Sequence, residues 1–327
     1  MICLGIESTA HTFGIGIIDS NGKVLANVID GYKTKSGGIV PNKAAEHHVD
    51  VCDKTIKKAL DNANLTIKDI DLISYSASPG IGTCLRIGAM AARSLALLHN
   101  TPIIGINHCI AHLEIGRLLT NAKDPVLLYA SGANTQIIAY EGEKYRVFGE
   151  TLDIGIGNFL DSFARELEVG FPGGPLIEKY ASKGKKYIEL PYVVKGMDIS
   201  FGGLLTNLKQ KIKSGNHKKE DLCYSAQETI FAMLIEVSER ALAHCGKNEL
   251  LLGGGVACNK RLQEMAEQMC KERGAKSFAV PNQFNVDNGL MIAWLGLLQY
   301  KAGDRVNIEK AGIDPYRRTD QIKVTWR

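Results

Sequence analysis

The chain has 327 residues, of which 45% are hydrophobic and 23% charged, and this composition excludes a disordered, collagenous or low-complexity protein. Its length suggests about two domains, each large enough to bury a core without disulfides or a structural metal. The 39 Lys and Arg residues exceed the 35 Asp and Glu residues by only four, which does not indicate a nucleic-acid-binding protein but is compatible with a local basic patch.

The cysteine pattern and the hydropathy bear on the cellular setting. No pair of the eight cysteines is spaced as C-x-x-C, so the thiols are interpreted as small buried side chains rather than zinc ligands. The start Met1-Ile2-Cys3-Leu4-Gly5 is typical of a short strand, not of a secretion signal. No apolar run reaches the roughly 18 residues of a membrane span. We therefore expect a protein of the reducing cytoplasm with no membrane partner.

The apolar pattern predicts the same series of elements twice. The first series has strands at 2–7, 13–20 and 23–32, a helix at 41–62, a strand at 72–76, a helix at 84–99, a strand at 102–107 and a helix at 109–119. Asn21-Gly22 indicates a hairpin turn. After Asp124-Pro125 the second series has strands at 126–130, 135–140 and 145–150, helices at about 157–168 and 221–245, a strand at 250–252, a helix at 259–273, a strand at 277–280 and a helix at 287–302.

This repetition predicts two similar α/β lobes with a cleft between them, and a single doubly wound sheet is the alternative. We assign the N-terminal lobe to residues 1–122 and the C-terminal lobe to 123–289. A C-terminal helix at about 290–327 is expected to pack back near the first lobe. Residues 170–220 fit the pattern least well and are interpreted as an insertion on the second lobe or a solvated surface excursion. Within them, residues 196–205 are too polar for a buried strand and too rich in glycine for a helix, so we expect a shaped loop near the cleft.

Two histidines lie four residues apart in His108-Cys109-Ile110-Ala111-His112. If residues 108–119 are helical, both imidazoles lie on one face and reach one metal ion. The pair alone is as typical of a surface or capping coincidence, and Cys109 stands where the zinc-protease motif needs glutamate. A third ligand must come from elsewhere. Asp287 is either a helix N-cap or that ligand, and its spacing alone favours the cap.

Three strand ends are rich in small residues. They are Gly5-Ile6-Glu7-Ser8-Thr9, Tyr129-Ala130-Ser131-Gly132-Ala133-Asn134-Thr135 and Leu251-Leu252-Gly253-Gly254-Gly255-Val256-Ala257-Cys258-Asn259. Each alone is typical of a tight turn, yet such residues also let backbone N–H groups face a phosphate or nucleoside. In a two-lobe arrangement the three together favour a nucleotide in the cleft. Residues 78–88 also lead from a strand into a helix, where Arg86 either contacts an anion or pairs on the surface.

Five segments occur in the order found in one protein family. They are Asn107-His108-Cys109-Ile110-Ala111-His112, Ser131-Gly132-Ala133-Asn134-Thr135, Phe171-Pro172-Gly173-Gly174-Pro175, Gly196-Met197-Asp198 and Gly253-Gly254-Gly255-Val256-Ala257. From residue 1 to about residue 320 the chain resembles the TsaD/OSGEP family of tRNA threonylcarbamoyladenosine synthases. It looks closest to the archaeal and eukaryotic form, the catalytic subunit of the KEOPS complex. The resemblance implies an α/β ASKHA fold, as in actin and sugar kinases, with two ribonuclease-H-like lobes and a central cleft.

The resemblance also implies a ligand set. In the family a metal ion is held by residues matching His108, His112 and Asp287, with Tyr129 as a further ligand in archaeal-type members, which reverses the preference for a capping Asp287. One iron(II) ion per chain is expected, with zinc as the alternative. The adenine nucleotide or threonylcarbamoyl-AMP is expected at residues matching Tyr129, Ala130, Ser131, Gly132, Ala133, Asp161, Gly174, Glu178 and Asn259. The family usually has glycine at the position of Ala133, whose methyl group excludes some positive-φ conformations.

The implied activity is that of a metal-dependent acyltransferase, a tRNA N6-adenosine threonylcarbamoyltransferase. It would move the threonylcarbamoyl group from threonylcarbamoyl-AMP to the adenosine next to the anticodon in tRNAs reading ANN codons. No general base is evident from the sequence. Two alternatives from other classes stay open: an ASKHA-type small-molecule kinase, and an ATP-regulated scaffold without activity of its own. An older label for the family, metalloprotease, is opposed by the missing glutamate.

The implied partners are tRNA, a small dimerising KEOPS subunit on the N-terminal lobe and a kinase-like KEOPS subunit on the C-terminal lobe. Because tRNA must meet positive charge, lysines of the second lobe are candidate contacts. These are Lys183, Lys185, Lys186, Lys209, Lys211, Lys213, Lys218 and Lys219. No long basic run or aromatic stacking platform is visible, so we expect weak tRNA binding by the chain alone. The helices after residues 41 and 84 are the expected docking surface for the dimerising subunit.

Overall fold

The first β-sheet has an antiparallel half and a parallel half. The computed structural model describes residues 1–33 and 39–327. The strands are β1 (Ile2–Glu7), β2 (Thr12–Asp19), β3 (Val24–Gly31), β4 (Leu72–Ser78) and β5 (Ile103–Asn107), in the order β3-β2-β1-β4-β5. Strands β1, β2 and β3 pair antiparallel, while β4 and β5 run parallel to β1. The predicted hairpin turn is confirmed at Gly22, whose φ of 84° suits glycine.

The second sheet repeats this topology. Its strands are β6 (Val126–Ala130), β7 (Thr135–Glu141), β8 (Lys144–Glu150) and, after a short hairpin of β9 (Val194–Lys195) and β10 (Asp198–Ile199), β11 (Glu249–Gly253) and β12 (Lys276–Ala279). Their order is β12-β11-β6-β7-β8. The first strand of each half is therefore central, with a hairpin on one side and parallel strands on the other. This confirms the prediction of two similar α/β lobes and excludes a single doubly wound sheet.

Ten helices connect and cover the sheets in the described residues. They are α1 (Pro41–Ala63), α2 (Gly82–His99), α3 (His108–Thr120), α4 (Ile156–Glu166), α5 (Gly173–Ala181), α6 (Gly202–Ser214), α7 (Lys219–Cys245), α8 (Lys260–Arg273), α9 (Asn282–Asn285) and α10 (Gly289–Lys301). Helices α1, α2 and α3 each end at an asparagine in the left-handed conformation: Asn64, Asn100 and Asn121. Asparagine tolerates this conformation, which lets the cap amide bond back to the last turn. Within these described ranges, no helix is both long and apolar enough to cross a membrane.

Two helices lie between the two sheets. Apolar residues of α3 and α10 form one core with residues from both sheets. A second core joins the other face of the first sheet to α1 and α2. A third joins the other face of the second sheet to helices α4 to α8. The central layer is therefore the only one of the three cores in contact with both sheets, and any side chain at its edge can meet residues from both.

Helix α10 crosses the first sheet at a separation that only glycine permits. A Cβ atom on Gly5 would lie 2.2 Å from the Gly289 carbonyl oxygen, and one on Gly16 would lie 2.1 Å from the Leu290 nitrogen. A Cβ on Gly289 would in turn lie 2.2 Å from the Gly16 nitrogen. This packing fixes the start of α10 against β1 and β2. It thereby fixes Asp287, two residues before the helix, near the end of β1.

The structure corrects the interpretation of residues 170–220. They contain α5, the β9–β10 hairpin and α6, and Phe201, Leu204 and Leu208 are fully buried in the core of the second sheet. A solvated surface excursion is therefore excluded. The expectation that residues 196–205 form a loop too rich in glycine for a helix is wrong, because α6 begins at Gly202. The Asp153 carboxylate accepts from the amides of Phe201 and Gly202, at 2.9 and 2.8 Å, and so satisfies the start of this helix.

The C-terminal residues follow a different course from the expected long helix. Helix α10 ends at Lys301, and the tail of residues 302–327 contains only two short 3-10 turns, Ile308–Lys310 and Thr319–Gln321. The Tyr75 hydroxyl of β4 donates to the Gly312 carbonyl at 2.8 Å. Farther along, Arg318 pairs with Glu150 of β8 at 3.1 Å. The tail therefore contacts both sheets.

Candidate metal centre and nucleotide site

Helix α3 presents two histidines to the space between the sheets. Asn107, the last residue of β5, caps the helix by accepting from the Ile110 amide at 3.2 Å. The helix therefore starts at His108, and the four-residue spacing places His112 on the same face. The two ring centroids are 4.8 Å apart, and both side chains are buried. The predicted helix and the shared face of the two imidazoles are confirmed.

Asp287 is not the cap of the following helix. The side chain of Asn288 accepts from the Met291 amide at 3.2 Å and caps α10 instead. The Asp287 carboxylate turns toward α3, where Oδ1 lies 3.3 Å from His108 Nε2 and 3.2 Å from His112 Nε2. The capping role that the spacing favoured is therefore wrong, and the structure places Asp287 with the histidines, as the family resemblance implies.

Tyr129 approaches the same histidine from the second sheet. It is the fourth residue of β6, and its hydroxyl lies 3.0 Å from His108 Nε2. The Tyr129 side chain is buried. The structure thus brings together all four residues that the resemblance implies as metal ligands, from α3, β6 and the segment before α10.

A fifth residue, Glu7, completes this cluster and was not among the predicted site residues. Its Oε2 lies 2.9 Å from His108 Nδ1, and its Oε1 accepts from the Thr9 amide at 2.6 Å. Glu7 is fully buried at the end of β1. An acidic residue closing an apolar strand was the available indication in the sequence, since a buried carboxylate needs partners. Its partner, however, is 101 residues away.

The charges in this cluster are strongly coupled. Burial opposes the charged form of His108, but Tyr129, Glu7 and Asp287 together raise its pKa well above the usual value. Burial lowers the pKa of His112. Burial raises the pKa of Asp287, but the opposing effect of His108 and His112 is larger and holds that pKa well below the usual range. The cluster therefore favours an ionised carboxylate facing a positive charge, which a metal cation supplies as well as a proton does.

The donor set fits a transition metal. One ligand atom each from His108, His112 and Asp287 lies within 4.8 Å of the others, so the triad can hold a metal ion. Two imidazole nitrogens and a carboxylate oxygen suit both iron(II) and zinc. Glu7, on the far nitrogen of His108, orients the ring in the way that second-sphere carboxylates do at many metal sites.

The segment after β6 forms a turn against α4. The Ser131 amide donates to the Asn134 carbonyl at 2.9 Å, and the Ser131 carbonyl accepts from the Gly157 amide at 3.0 Å. In the part of the chain that the structure describes, the amides of Gly132 and Ala133 have no acceptor. They are therefore free to face a ligand. Ala133 is not among the residues with positive φ, so its methyl group causes no backbone strain.

The Gly254 turn packs directly on this segment. Gly253 pairs with Tyr129, and Gly254 has a φ of 92°. A Cβ on Gly254 would lie 2.4 Å from the Ala130 carbonyl oxygen, so both the conformation and the close approach require glycine. Two of the three predicted glycine-rich strand ends are thus adjacent.

The remaining predicted nucleotide residues lie on the helices around these turns. Asp161 of α4 accepts from the Gly173 amide at 2.7 Å, and burial raises the pKa of its carboxyl group. Next to it, Gly174 has an open surface, since a Cβ there would find its nearest neighbour 3.8 Å away. Glu178 of α5 accepts from the Lys260 amide at 3.0 Å. Asp161 and Glu178 each keep one carboxylate oxygen without a partner among the described residues.

Asn259 has a structural role in addition to its predicted one. Its Oδ1 accepts from the Arg261 amide at 2.9 Å and caps α8, while its Nδ2 donates to Gln227 Oε1 at 3.1 Å. Since Glu178 bonds the neighbouring residue Lys260, Asn259 lies beside α5. The predicted nucleotide-binding residues therefore surround the end of β6. The predicted metal ligands meet them at Tyr129, which belongs to both groups. Among the described residues, no other hydrogen bond joins a predicted metal ligand to a predicted nucleotide-binding residue.

Known proteins resemble the chain along its whole length. A family profile described as TsaD, tRNA N6-adenosine threonylcarbamoyltransferase, matches residues 23–294. Two proteins of that name, from Thermococcus sibiricus and Thermococcus kodakarensis, are 58% and 56% identical, and each comparison covers 100% of both chains. A protein of Methanocaldococcus jannaschii named probable bifunctional tRNA threonylcarbamoyladenosine biosynthesis protein is 52% identical over 100% of this chain and 60% of its own length.

Solved structures of distant sequence share the fold. HypF of T. kodakarensis has a TM-score of 0.67 at 17% identity, covering 92% of this chain and 47% of that one. Component A of (R)-2-hydroxyglutaryl-CoA dehydratase from Acidaminococcus fermentans has a TM-score of 0.56 at 16% identity, covering 91% and 98%. Both are ASKHA-fold proteins, which confirms the expected fold class. A shared fold at this identity says nothing about a shared function. On the family profile and the full-length identities, the chain belongs to the TsaD family of tRNA N6-adenosine threonylcarbamoyltransferases.

Proposed function

We propose that this chain transfers the threonylcarbamoyl group from threonylcarbamoyl-AMP to N6 of the adenosine next to the anticodon in tRNAs that read ANN codons. The observation that carries the proposal is the meeting, at Tyr129, of a metal-binding triad with a turn whose amides are free. This arrangement occurs in a chain that is 58% identical over its full length to a relative named for this activity.

The reaction is an acyl transfer. The N6 amine of adenosine attacks the carbamoyl carbon, a C–N bond forms, and the bond from that carbon to the AMP phosphate oxygen breaks. AMP leaves with the electron pair, and the amine loses one proton. AMP is a good leaving group, so the protein's main task is to hold the donor and the adenosine in a reactive geometry. We assign no general base.

His108, His112, Tyr129 and Asp287 would hold the metal ion, which we propose to be iron(II), with zinc as the alternative. When bound, the ion supplies Lewis acidity and a template for the donor's oxygen atoms. Glu7 accepts a hydrogen bond from the Nδ1–H group of His108. This holds the proton on Nδ1 and leaves Nε2 as the free, ligating nitrogen. The burial of His108, His112 and Tyr129 limits the access of water to them.

The nucleotide half of the donor would lie along the end of β6. The free amides of Gly132 and Ala133 suit the phosphate, whereas the Ser131 amide is engaged within the turn. The unpartnered oxygens of Asp161 and Glu178 suit ribose hydroxyls as acceptors. Ala130 and Gly174 would contribute backbone surface. Asn259 would donate from its Nδ2 to the nucleotide and give up its hydrogen bond to Gln227 Oε1.

We propose that the chain works in the cytoplasm with partner subunits, in keeping with the expected KEOPS-type assembly. Helices α1 and α2 support a docking surface for the small dimerising subunit, because apolar side chains on them are exposed. Val49, Met90, Leu97 and Leu98 are 57%, 60%, 65% and 77% exposed. The kinase-like subunit would bind the second lobe. All eight cysteines are free, which supports a reducing compartment.

The test is incubation of the purified chain with threonylcarbamoyl-AMP, tRNA and candidate subunits, followed by nucleoside mass spectrometry. We expect threonylcarbamoyladenosine in tRNAs that read ANN codons and in no others. A parallel reaction with ATP and small-molecule acceptors tests the kinase alternative. Phosphorylation of a small molecule without tRNA modification would contradict the proposal.

A further inference from the structure

A turn in the C-terminal tail holds an exposed tyrosine. Tyr316 is 89% exposed, more than any other large apolar side chain in the described residues. A single exposed aromatic side chain needs no functional explanation by itself. What matters here is how firmly the backbone of this residue is held, and what surrounds it.

The backbone around Tyr316 is anchored to the first lobe. The Tyr316 amide donates to Asp314 Oδ1 at 3.2 Å. The Asp314 amide donates to the Ala77 carbonyl at 2.9 Å, and the Gly80 amide donates to the Pro315 carbonyl at 3.2 Å. The turn therefore follows the end of β4 and the start of α2, and the tyrosine ring projects to solvent from a fixed base.

The same turn borders the metal centre. Asn107, the residue directly before His108, donates from Nδ2 to the Arg317 carbonyl at 3.5 Å. On the other side of His108, the buried Thr319 side chain lies near the Cys109 thiol. Tyr316 thus stands beside the helix start that presents the metal-binding histidines.

Two arginines, one in this turn and one in the first turns of α2, carry unpaired charge. Arg318 is neutralised by Glu150 at 3.1 Å, but neither Arg317 nor Arg86 forms an ion pair within residues 1–33 and 39–327. Both are exposed. The start of α2 touches this turn, since a Cβ on Gly82 would lie 3.3 Å from Pro315, and Arg86 follows one turn along that helix.

An exposed aromatic ring in a region that also carries free guanidinium groups suits single-stranded nucleic acid. Unpaired bases stack on aromatic and arginine planes, while the phosphates are attracted to the arginines. We propose that Tyr316, with Arg317 and Arg86, is a stacking platform for an unpaired base of the tRNA anticodon loop, next to the adenosine that is modified. This inference rests on the proposed function. It specifies that the turn carrying Tyr316 contacts the anticodon loop of the tRNA.

The test uses the full chain with an anticodon stem-loop RNA and with the complete tRNA reaction. We expect Tyr316→Ala to weaken stem-loop binding by about 5- to 150-fold, the usual effect of losing one base–aromatic stack. The KM for tRNA should rise while the KM for threonylcarbamoyl-AMP stays unchanged. Tyr316→Phe and Tyr316→Trp should restore binding, because both keep an aromatic ring. Tyr192→Ala is the matched control, since Tyr192 is 48% exposed but bonded to Glu236.

Salt dependence separates stacking from charge. Tyr316→Ala should leave the slope of log Kd against log salt unchanged, whereas Arg317→Gln should reduce its magnitude by about 0.7. Stem-loop binding by Tyr316→Ala at wild-type strength would refute the platform, whatever the activity. Loss of activity in the reaction with partner subunits, at unchanged RNA binding, would assign this surface to a protein partner and refute the platform as well. If the wild-type chain modifies no tRNA even with the candidate subunits, the proposed function fails, and stem-loop binding still decides the platform.

Discussion

Glu7 provides the sharpest test of the proposed metal centre. It contacts Nδ1 of His108 and not Nε2, the atom that would bind the metal. Its Oε2 accepts from His108 Nδ1 at 2.9 Å, and its Oε1 accepts from the Thr9 amide at 2.6 Å. Glu7→Gln keeps the size of the side chain but replaces one acceptor by an NH₂ donor. If the NH₂ faces Thr9, two donors oppose each other. If it faces His108, Nδ1 must become the acceptor and the proton moves to Nε2, where it blocks the metal.

The expected loss follows from burial. Glu7 and His108 are 0% and 4% exposed, so water cannot replace the lost hydrogen bond. Substitutions of second-sphere partners typically cost 10- to 100-fold in metal affinity. This corresponds to about 1.4–2.8 kcal/mol. We expect Glu7→Gln to weaken metal binding within that range while the chain stays folded.

The assay is a calorimetric titration of metal-free protein with Zn²⁺, accompanied by thermal unfolding of each variant. Glu114→Gln is the matched control. Glu114 is also a buried glutamate in the central layer, but it pairs with Arg117 at 2.7 Å and accepts from Trp326 at 2.8 Å, away from the triad. This variant should lose stability and keep its metal affinity. A folded Glu7→Gln protein with wild-type metal affinity would refute the assigned role of Glu7.

Four further outcomes are expected. The double variant His108→Ala/His112→Ala should contain no metal by elemental analysis while its circular dichroism stays native; full occupancy would contradict the triad. Asp161→Ala, and Asn259→Asp, which keeps the helix cap, should each weaken adenine-nucleotide binding by on the order of 1–3 kcal/mol without releasing metal, and unchanged calorimetric affinity would count against the site. Burial lowers the pKa of His48 to about 4, so the unfolded chain takes up this proton below pH 6.5 and the folded chain resists it. The free energy of unfolding in urea should therefore be highest above about pH 7 and fall by about 2 kcal/mol between pH 7 and pH 5, and His48→Gln should flatten this profile; an identical slope in the variant would exclude His48 as the cause. Finally, the isolated chain should bind tRNA with a Kd above about 1 μM near physiological salt, and tighter binding with unaided turnover would show that no partner is required.

The sequence predicted the elements whose information is local. The hairpin at Asn21-Gly22 and the helix that begins near His108 follow from turn chemistry and apolar spacing, and the structure has both. Helix α6 was missed because Gly202-Gly203 indicates a loop when considered alone. The Asp153 carboxylate that holds its first amides lies about 50 residues earlier in the chain, so no local pattern contains it.

The candidate site shows the same division between local and distant information. The His108–His112 spacing was visible, but spacing favoured the wrong role for Asp287 because Asn288, the next residue, was the better cap. Glu7 was missed because a strand end does not reveal which distant side chain it meets. Tyr316 was missed because the exposure of one tyrosine is decided by tertiary packing. Family resemblance supplied the proposed ligand set, which residue chemistry alone left open.

The duplicated fold explains why one histidine is contacted from both halves. Glu7 ends β1 and Tyr129 is the next-to-last residue of β6, and these are the central strands of the two sheets. One meets Nδ1 of His108 and the other meets Nε2. The imidazole thus lies between equivalent strand ends that differ in chemistry, since a carboxylate fixes the ring's proton on one side and a phenol adds an oxygen on the other. Because each contact comes from a different sheet, the tautomer and the ligand set that we propose exist together only when the two sheets are packed on the central layer.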